Sequence, residues 1–312
     1  TQMLFKGLVE KKYSEGWILQ HFYFDVRGFL FFHRTQYNNP SKSSWLGELP
    51  FKSFEAKQET LKRFQSIGYP KFKQANAEVD TCFVEILQMF VQSNNKPCVI
   101  GIAGQTAAGK TEIVSRIQED FKKLNLSFTS LEIDHFLTDR DLREEKGIDS
   151  LGKEALHFEM FISALQDLRT GKNIFIPQYD FISATSSHTE GGLLKPDRTM
   201  GEILPADIIF IEGNFPFLYP EVAELIDLKV VYLTDDEIRL KRKWKRDMDY
   251  RKKYEITYFL NRYFREQFLM AESAYIPQIG NCDLLVDTTK AQIWLTTKLK
   301  KEVEKRILKN PQ

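Results

Sequence analysis

The sequence predicts an α/β fold, a doubly wound and mostly parallel five-stranded sheet with an extension at its N-terminal side. Three observations predict it. Short apolar runs stand at 98–103, 128–133, 207–211, 229–233 and 284–286. Most are continuous rather than alternating, as parallel strands covered on both faces require. Helical patterns separate them, among them 111–124, 154–169, 236–250 and 257–272, and that alternation is the mark of parallel crossover units.

The chain divides near Gln92–Pro97, where Gln-Ser-Asn-Asn-Lys-Pro reads as a tight loop or linker. The expected units are therefore residues 1–94 and 95–312. The first is unlike the rest. Aromatic runs at 17–24 and 29–34 flank Asp25-Val26-Arg27-Gly28, which predicts a β-hairpin. A polar loop at 37–44 and helices at 54–67 and 75–91 follow; in the second helix Val79, Phe83, Ile86, Met89 and Phe90 recur mostly three and four residues apart. Exposed aromatic strands invite association. The extension is thus expected either to pack on the second unit or to serve a second copy or another protein. At the far end, 290–308 reads as a Lys-rich amphipathic helix.

Bulk composition narrows the partners. The 312 residues are 42% apolar and 28% charged, with a formal net charge of +1. A core of ordinary size is available, and nothing global points to nucleic acid or an anionic membrane. No apolar stretch approaches the ~20 residues of a membrane span, and no secretory signal stands at the start. Cys82, Cys98 and Cys282 lie too far apart for a metal site or a disulfide framework. Reduced thiols in a cytoplasmic compartment are the expectation, with Cys98 and Cys282 as inert core residues.

The first apolar run leads into Gly104-Gln105-Thr106-Ala107-Ala108-Gly109-Lys110-Thr111, then Glu112 and a helical pattern. This is GxxxxGK[ST] in full, in the strand-to-helix setting that gives the pattern its meaning. Glycines let successive backbone N–H groups turn inward on phosphate oxygens. The helix start adds its positive end. Lys110 supplies a cation for the β- and γ-phosphates, and the Thr111 hydroxyl suits Mg2+. The fold expectation sharpens to a P-loop NTPase fold that binds a nucleotide with Mg2+.

Two carboxylates end neighbouring strands. Asp134 follows Ser130-Leu-Glu-Ile, and Glu212 follows Ile208-Ile-Phe-Ile, with Gly213 relieving crowding. One can accept a proton from a substrate hydroxyl while the other holds Mg2+ directly or through water; as plain structure, either is a helix cap or turn former. Further on, Arg239, Arg242, Arg246, Arg251 and Lys253 belong to a cationic stretch. It reads as a solvated helix face, as a flap whose cations cover a moving phosphoryl group, or as a nucleic-acid contact, which the neutral overall charge disfavours. The five histidines show no metal-ligand spacing.

The order of these motifs resembles the phosphoribulokinase/uridine kinase family over roughly residues 96–289. The likeness rests on the loop, Ile133-Asp134-His135-Phe136, Ile176-Pro-Gln-Tyr179-Asp-Phe181, Ala206 to Gly213, the Arg/Lys stretch, and Ala274-Tyr275-Ile-Pro277 leading to Cys282-Asp283. The resemblance implies an ATP-dependent kinase, residues 95–312 forming its P-loop kinase domain, that phosphorylates a hydroxyl of a small molecule. It implies that Asp134 is the catalytic base near Mg2+ and Glu212 a Mg2+-associated carboxylate. Tyr179 and Phe181 match substrate-pocket residues, and Arg246, Arg251 and Lys253 match lid cations. Asp149 aligns, across a gap, with a carboxylate that holds substrate hydroxyls. Two departures bear on the acceptor. Leu137 stands where uridine kinases usually place Tyr, and Ser183-Ala184-Thr185-Ser186 replaces their His and Arg, with His188 a few residues late. Those side chains read the pyrimidine nucleoside, so nucleoside, sugar and organic acid all stand as acceptors. Two other readings remain: a kinase-like scaffold that binds a partner through its N-terminal segment, and a P-loop regulatory NTPase. The intact Lys110, Thr111, Asp134 and Glu212 oppose the first, and the lack of an Asn-Lys-x-Asp element after the loop opposes a GTPase.

Overall fold

The computed structural model describes residues 77–148, 152–234, 239, 242–243, 246–247, 274, 276–288, 292–296 and 299. The expected hairpin at 17–34, the helices at 54–67 and 257–272, and Asp149, Arg251 and Lys253 lie outside them.

Helix α1 (Ala77–Val91) leads into β1 (Cys98–Ala103), which is buried at every position. Then follow α2 (Lys110–Lys122), β2 (Phe128–Glu132), a 3-10 turn (Ile133–Phe136) and α3 (Arg140–Glu145). A second 3-10 turn (Lys153–Ala155) precedes α4 (Phe158–Arg169), where a single helix was expected from 154. Two short antiparallel ribbons come next, β3 (Ile174–Ile176) with β6 (Gly201–Ile203), and β4 (Tyr179–Asp180) with β5 (Thr185–Ser186). The chain closes with β7 (Ile208–Gly213), α5 (Pro220–Ala223), β8 (Leu228–Leu233), α6 (Ile276–Asn281), β9 (Leu284–Asp287) and β10 (Gln292–Leu295).

The main sheet runs in the order β10-β9-β8-β1-β7-β2. Its five expected strands are all parallel, and β10 pairs antiparallel with β9. That sixth strand corrects the start of the helix expected over 290–308, whose later residues, Leu299 apart, lie outside the described ones. Ile293 and Leu295 pack toward one core and Trp294 toward the other. Pairing with an open sheet edge rewards this two-sided alternation more than local helix preference does.

Strand periodicity splits the interior in two. Val99, Leu131, Ile209, Ile211 and Val231 face Phe161, Leu165 and Leu168 of α4. Cys98, Ile100, Ile102, Phe210 and Val230 face Ile113, Ile117 and Phe121 of α2. Phe83 and Leu87 of α1 sit in this second core at 0% exposure, beside Val79 and Val91. Each such side chain contributes about 1.5–3 kcal/mol. Helix α1 precedes the expected boundary at 94, yet its apolar face completes the sheet's own core.

Cys98 is buried, and burial pushes its thiol up to about 12. Half-buried Cys282 is likewise pushed up to about 12 by burial. Both stay protonated at neutral pH and are poor nucleophiles. No helix among the described residues is long and apolar enough to cross a membrane.

Candidate active site

The sheet changes direction of growth at β1, which lies between β8 and β7. Ligands of open α/β sheets bind beyond the strand ends at such a switch point. The expected loop stands there. Its conformation explains its residues. Ala107 and Gly109 take left-handed φ values of 61° and 103°, which turn consecutive amides to one side. A Cβ at Gly104 would lie 2.7 Å from Lys110 Cδ and 2.9 Å from the Tyr232 carbonyl oxygen, so the lysine stem can cross only a glycine. Lys110 Nζ donates to the carbonyls of Gly104 at 2.6 Å and Gln105 at 3.3 Å. Helix α2 starts on Gly109 with no side-chain cap, leaving its first N–H groups for a ligand. Gln105, Thr106, Ala107 and Lys110 are half-buried, Ala108 is buried, and Thr111 and Glu112 are exposed on the first turn.

The strand register sets the carboxylates. Ile102 of β1, Glu212 of β7 and Glu132 of β2 lie side by side. Glu212 therefore belongs to its strand rather than following it, and it is buried. It accepts a hydrogen bond from Thr111 Oγ1 at 2.5 Å. Burial raises its pKa, against the pull of Lys110 and of that hydrogen bond. Lys110 is shifted down, first by desolvation; Glu212 and Asp134 oppose the shift, while Arg246 and Arg239 add to it. Asp134 lies half-buried in the 3-10 turn after β2. A Cβ at Gly213 would come within 2.9 Å of Ile133, so this glycine allows the β2 turn to close against β7.

The cationic stretch is not simply a solvated face. Arg239, Lys243 and Asp247 are buried, with Lys243 and Asp247 paired to each other. Arg242 and Arg246 turn to the loop. Arg246 Nη2 donates to Thr106 Oγ1 at 3.1 Å, and Arg242 Nη1 to the Ala108 carbonyl at 3.4 Å. Among the described residues no group of three or more His, Cys, Asp or Glu side chains gathers to hold a metal.

Tyr179 and Phe181 meet edge to face, with ring centroids 5.2 Å apart, on the ribbon beside the 133–136 turn. The buried Arg143 donates to the Tyr179 hydroxyl at 3.3 Å and to the Thr138 carbonyl. Sequence reading missed this arginine, because 36 residues separate the partners. It also missed His135 Nδ1 and Asn214 Oδ1, which are buried and have no hydrogen-bond partner among the described residues. Asn214 directly follows Glu212-Gly213, which was the available signal.

His188 is turned inward against His157, with ring centroids 6.0 Å apart. Ser187 Oγ lies 2.8 Å from His188 Nδ1, and the Asp139–Lys195 pair stands close by at 2.7 Å. Both histidines are held below the usual imidazole range, first by burial; Lys195 lowers both, and Asp139 opposes the shift at His157. A histidine more acidic when folded binds fewer protons in the native state. Its stabilising contribution is full above the unfolded value of ~6.5 and is lost as pH falls. Thermal melts should show a falling Tm from about pH 7.5 to about pH 5 over this range. The His157→Gln/His188→Gln variant should flatten that slope; an unchanged slope would refute the assignment.

The fold and the loop define a P-loop kinase. The model of the phosphoribulokinase/uridine kinase family matches residues 99–292, well over half of the chain, and the chain belongs to that family. A uridine kinase of Macrococcus caseolyticus is 29% identical over 212 residues, 64% of this chain and 97% of that protein. A uridine kinase of Lactobacillus helveticus is 30% identical over 213 residues, 63% of this chain and 95% of its own length. A solved structure of a possible uridine kinase from Bacillus stearothermophilus aligns with a TM-score of 0.45 at 16% identity, over 64% of this chain and 97% of that one. The chain is a phosphotransferase that uses ATP and acts on a hydroxyl group of a small metabolite.

Proposed function

We propose that this enzyme moves the γ-phosphoryl group of Mg-ATP to a hydroxyl of a nucleoside, sugar or organic acid. One observation carries the residue roles: at the loop, Lys110 lies on the Gly104 carbonyl, Thr111 binds Glu212 at 2.5 Å and Arg246 reaches Thr106 at 3.1 Å. Gly104 to Thr111 cradle the phosphates with their amides, and Glu112 borders them on the first turn of α2. Lys110 leaves its two loop carbonyls to meet the β- and γ-phosphates. Arg246, and Arg251 beyond the described residues, counter charge on the group in transfer. Asp134 accepts the proton of the attacking hydroxyl.

The donor set fits magnesium. The Thr111 hydroxyl, Glu212 and Asp134 are hard oxygen donors, and Mg2+ characteristically takes one or two carboxylates plus phosphate oxygens rather than an all-protein cage. It would supply charge neutralisation between the β- and γ-phosphates.

Tyr179 and Phe181 form an aromatic wall for the acceptor, with Asp149 positioned in sequence to hold its hydroxyls. His135 Nδ1 and Asn214 Oδ1 are free to meet its polar groups. The missing pyrimidine-reading His and Arg weigh against uridine and cytidine. The test is a coupled assay of ADP release across nucleosides, pentoses and hexoses, and short hydroxy acids. At least one acceptor should stimulate turnover, and EDTA should stop it until Mg2+ is restored. ATP turnover that no acceptor raises above the Lys110→Ala background would end this reading.

A further inference from the structure

Helix α1 lies before the first residue matched by the family model, yet one of its side chains binds both the strand β8 and the helix α2 that flank the phosphate loop. Asp80 accepts a hydrogen bond from the Tyr232 hydroxyl at 3.1 Å and pairs with Arg116 of α2 at 3.3 Å. Its side chain is 14% exposed, so the pair is only partly screened. Arg116 also donates to Thr81 Oγ1 at 3.4 Å. One carboxylate thus joins α1, strand β8 and the helix that begins at the loop.

Tyr232 lines the loop at both ends. Its carbonyl oxygen lies 2.9 Å from where a Cβ at Gly104 would stand, and its ring Cε1 lies 3.7 Å from where one at Gly109 would stand. The ring is 4% exposed and leans on Phe83 of α1 at 6.2 Å between centroids. Gly109 is the residue whose left-handed φ of 103° aims the last loop amides before α2. A hydrogen bond to an ionised group is about twice as strong as a neutral one, so Asp80 holds the Tyr232 hydroxyl, and with it the ring that lines the Gly109 end of the loop.

We propose that Asp80 is a positioning residue for the phosphate loop: through Tyr232 and Arg116 it makes α1, outside the part shared with the family model, a determinant of nucleotide affinity. This rests on the reading that Gly104 to Thr111 bind nucleotide phosphates. A loop amide misaimed by a fraction of an ångström loses much of its bond to phosphate, because hydrogen bonds weaken steeply with angle.

The test is calorimetric titration of Mg-ATP into the full chain and four variants. Tyr232→Phe removes one oxygen, and Asp80→Ala removes the joint. Each should raise Kd about five- to tenfold, or about 1–1.4 kcal/mol. The double variant should be within about twofold of the weaker-binding single, since both act through one contact. Leu87→Val loosens the core face of the same helix and leaves the Asp80–Tyr232 contact unaltered; it should lower Tm and leave Kd within about twofold. Unchanged affinity in Tyr232→Phe would overturn the proposal, and that variant decides alone if Asp80→Ala fails to fold. A rise in Leu87→Val equal to that in Tyr232→Phe would also overturn it, because general packing would then explain both. Absence of saturable ATP binding by the unaltered chain would instead remove the nucleotide reading itself, and this inference with it.

Discussion

Lys110→Ala should lower kcat/KM for phosphoryl transfer about a hundred- to a thousandfold, while the protein stays folded. The magnitude follows from what the group does. A fixed cation aimed at charge that develops in transfer is worth about 3–4 kcal/mol. The fold should tolerate the loss, because among the described residues the ammonium bonds only to the carbonyls of Gly104 and Gln105. Its desolvation already disfavours the charged form there, so no large native-state gain is forfeited. Steady-state kinetics with the acceptor found by the panel, beside a circular dichroism melt, checks both halves. A variant with more than a tenth of wild-type kcat/KM would contradict the role.

Asp134→Asn should lower kcat about a hundred- to ten-thousandfold, the usual contribution of a general base, with the Kd of Mg-ATP changed less than about threefold. The position carries the argument. Asp134 sits in the turn beyond β2, while Glu132 and Glu212 lie one step back within their strands. Glu212 is also engaged by Thr111. If Asp134→Asn kept kcat within about tenfold, the base would have to be sought elsewhere, starting with Glu132 and Glu212.

Much of the architecture was legible because it is written locally. Five continuous apolar runs announce strands buried on both faces, and the loop pattern sits between the first of them and a helix. Asp134 and Glu212 were readable from their places after such runs. What escaped depends on partners distant in sequence. The ribbons β3–β6 and β4–β5 are two or three residues per strand, too short to show a period. Arg143 meets Tyr179, and Lys195 meets Asp139 across 56 residues, with no local mark at either end. β10 hid within a Lys-rich pattern of helical look, and only its pairing with β9 decides its conformation. Helix α1 was readable as a helix, but its membership in the sheet's core was not, since an amphipathic face does not name what it will cover.

The antiparallel β10 has a consequence for anyone cutting the gene into smaller pieces. A polypeptide ending at residue 291 would uncover the hydrogen-bonding edge of β9, a ready template for a stray chain. One starting at residue 95 would uncover the apolar groove that Phe83 and Leu87 fill. Such trimmed products should accumulate as inclusion bodies, whereas pieces that keep both flanks should stay in the supernatant. Centrifugal fractionation of expressed fragments reads this directly, and a soluble, monodisperse 95–291 product would show that neither flank is needed.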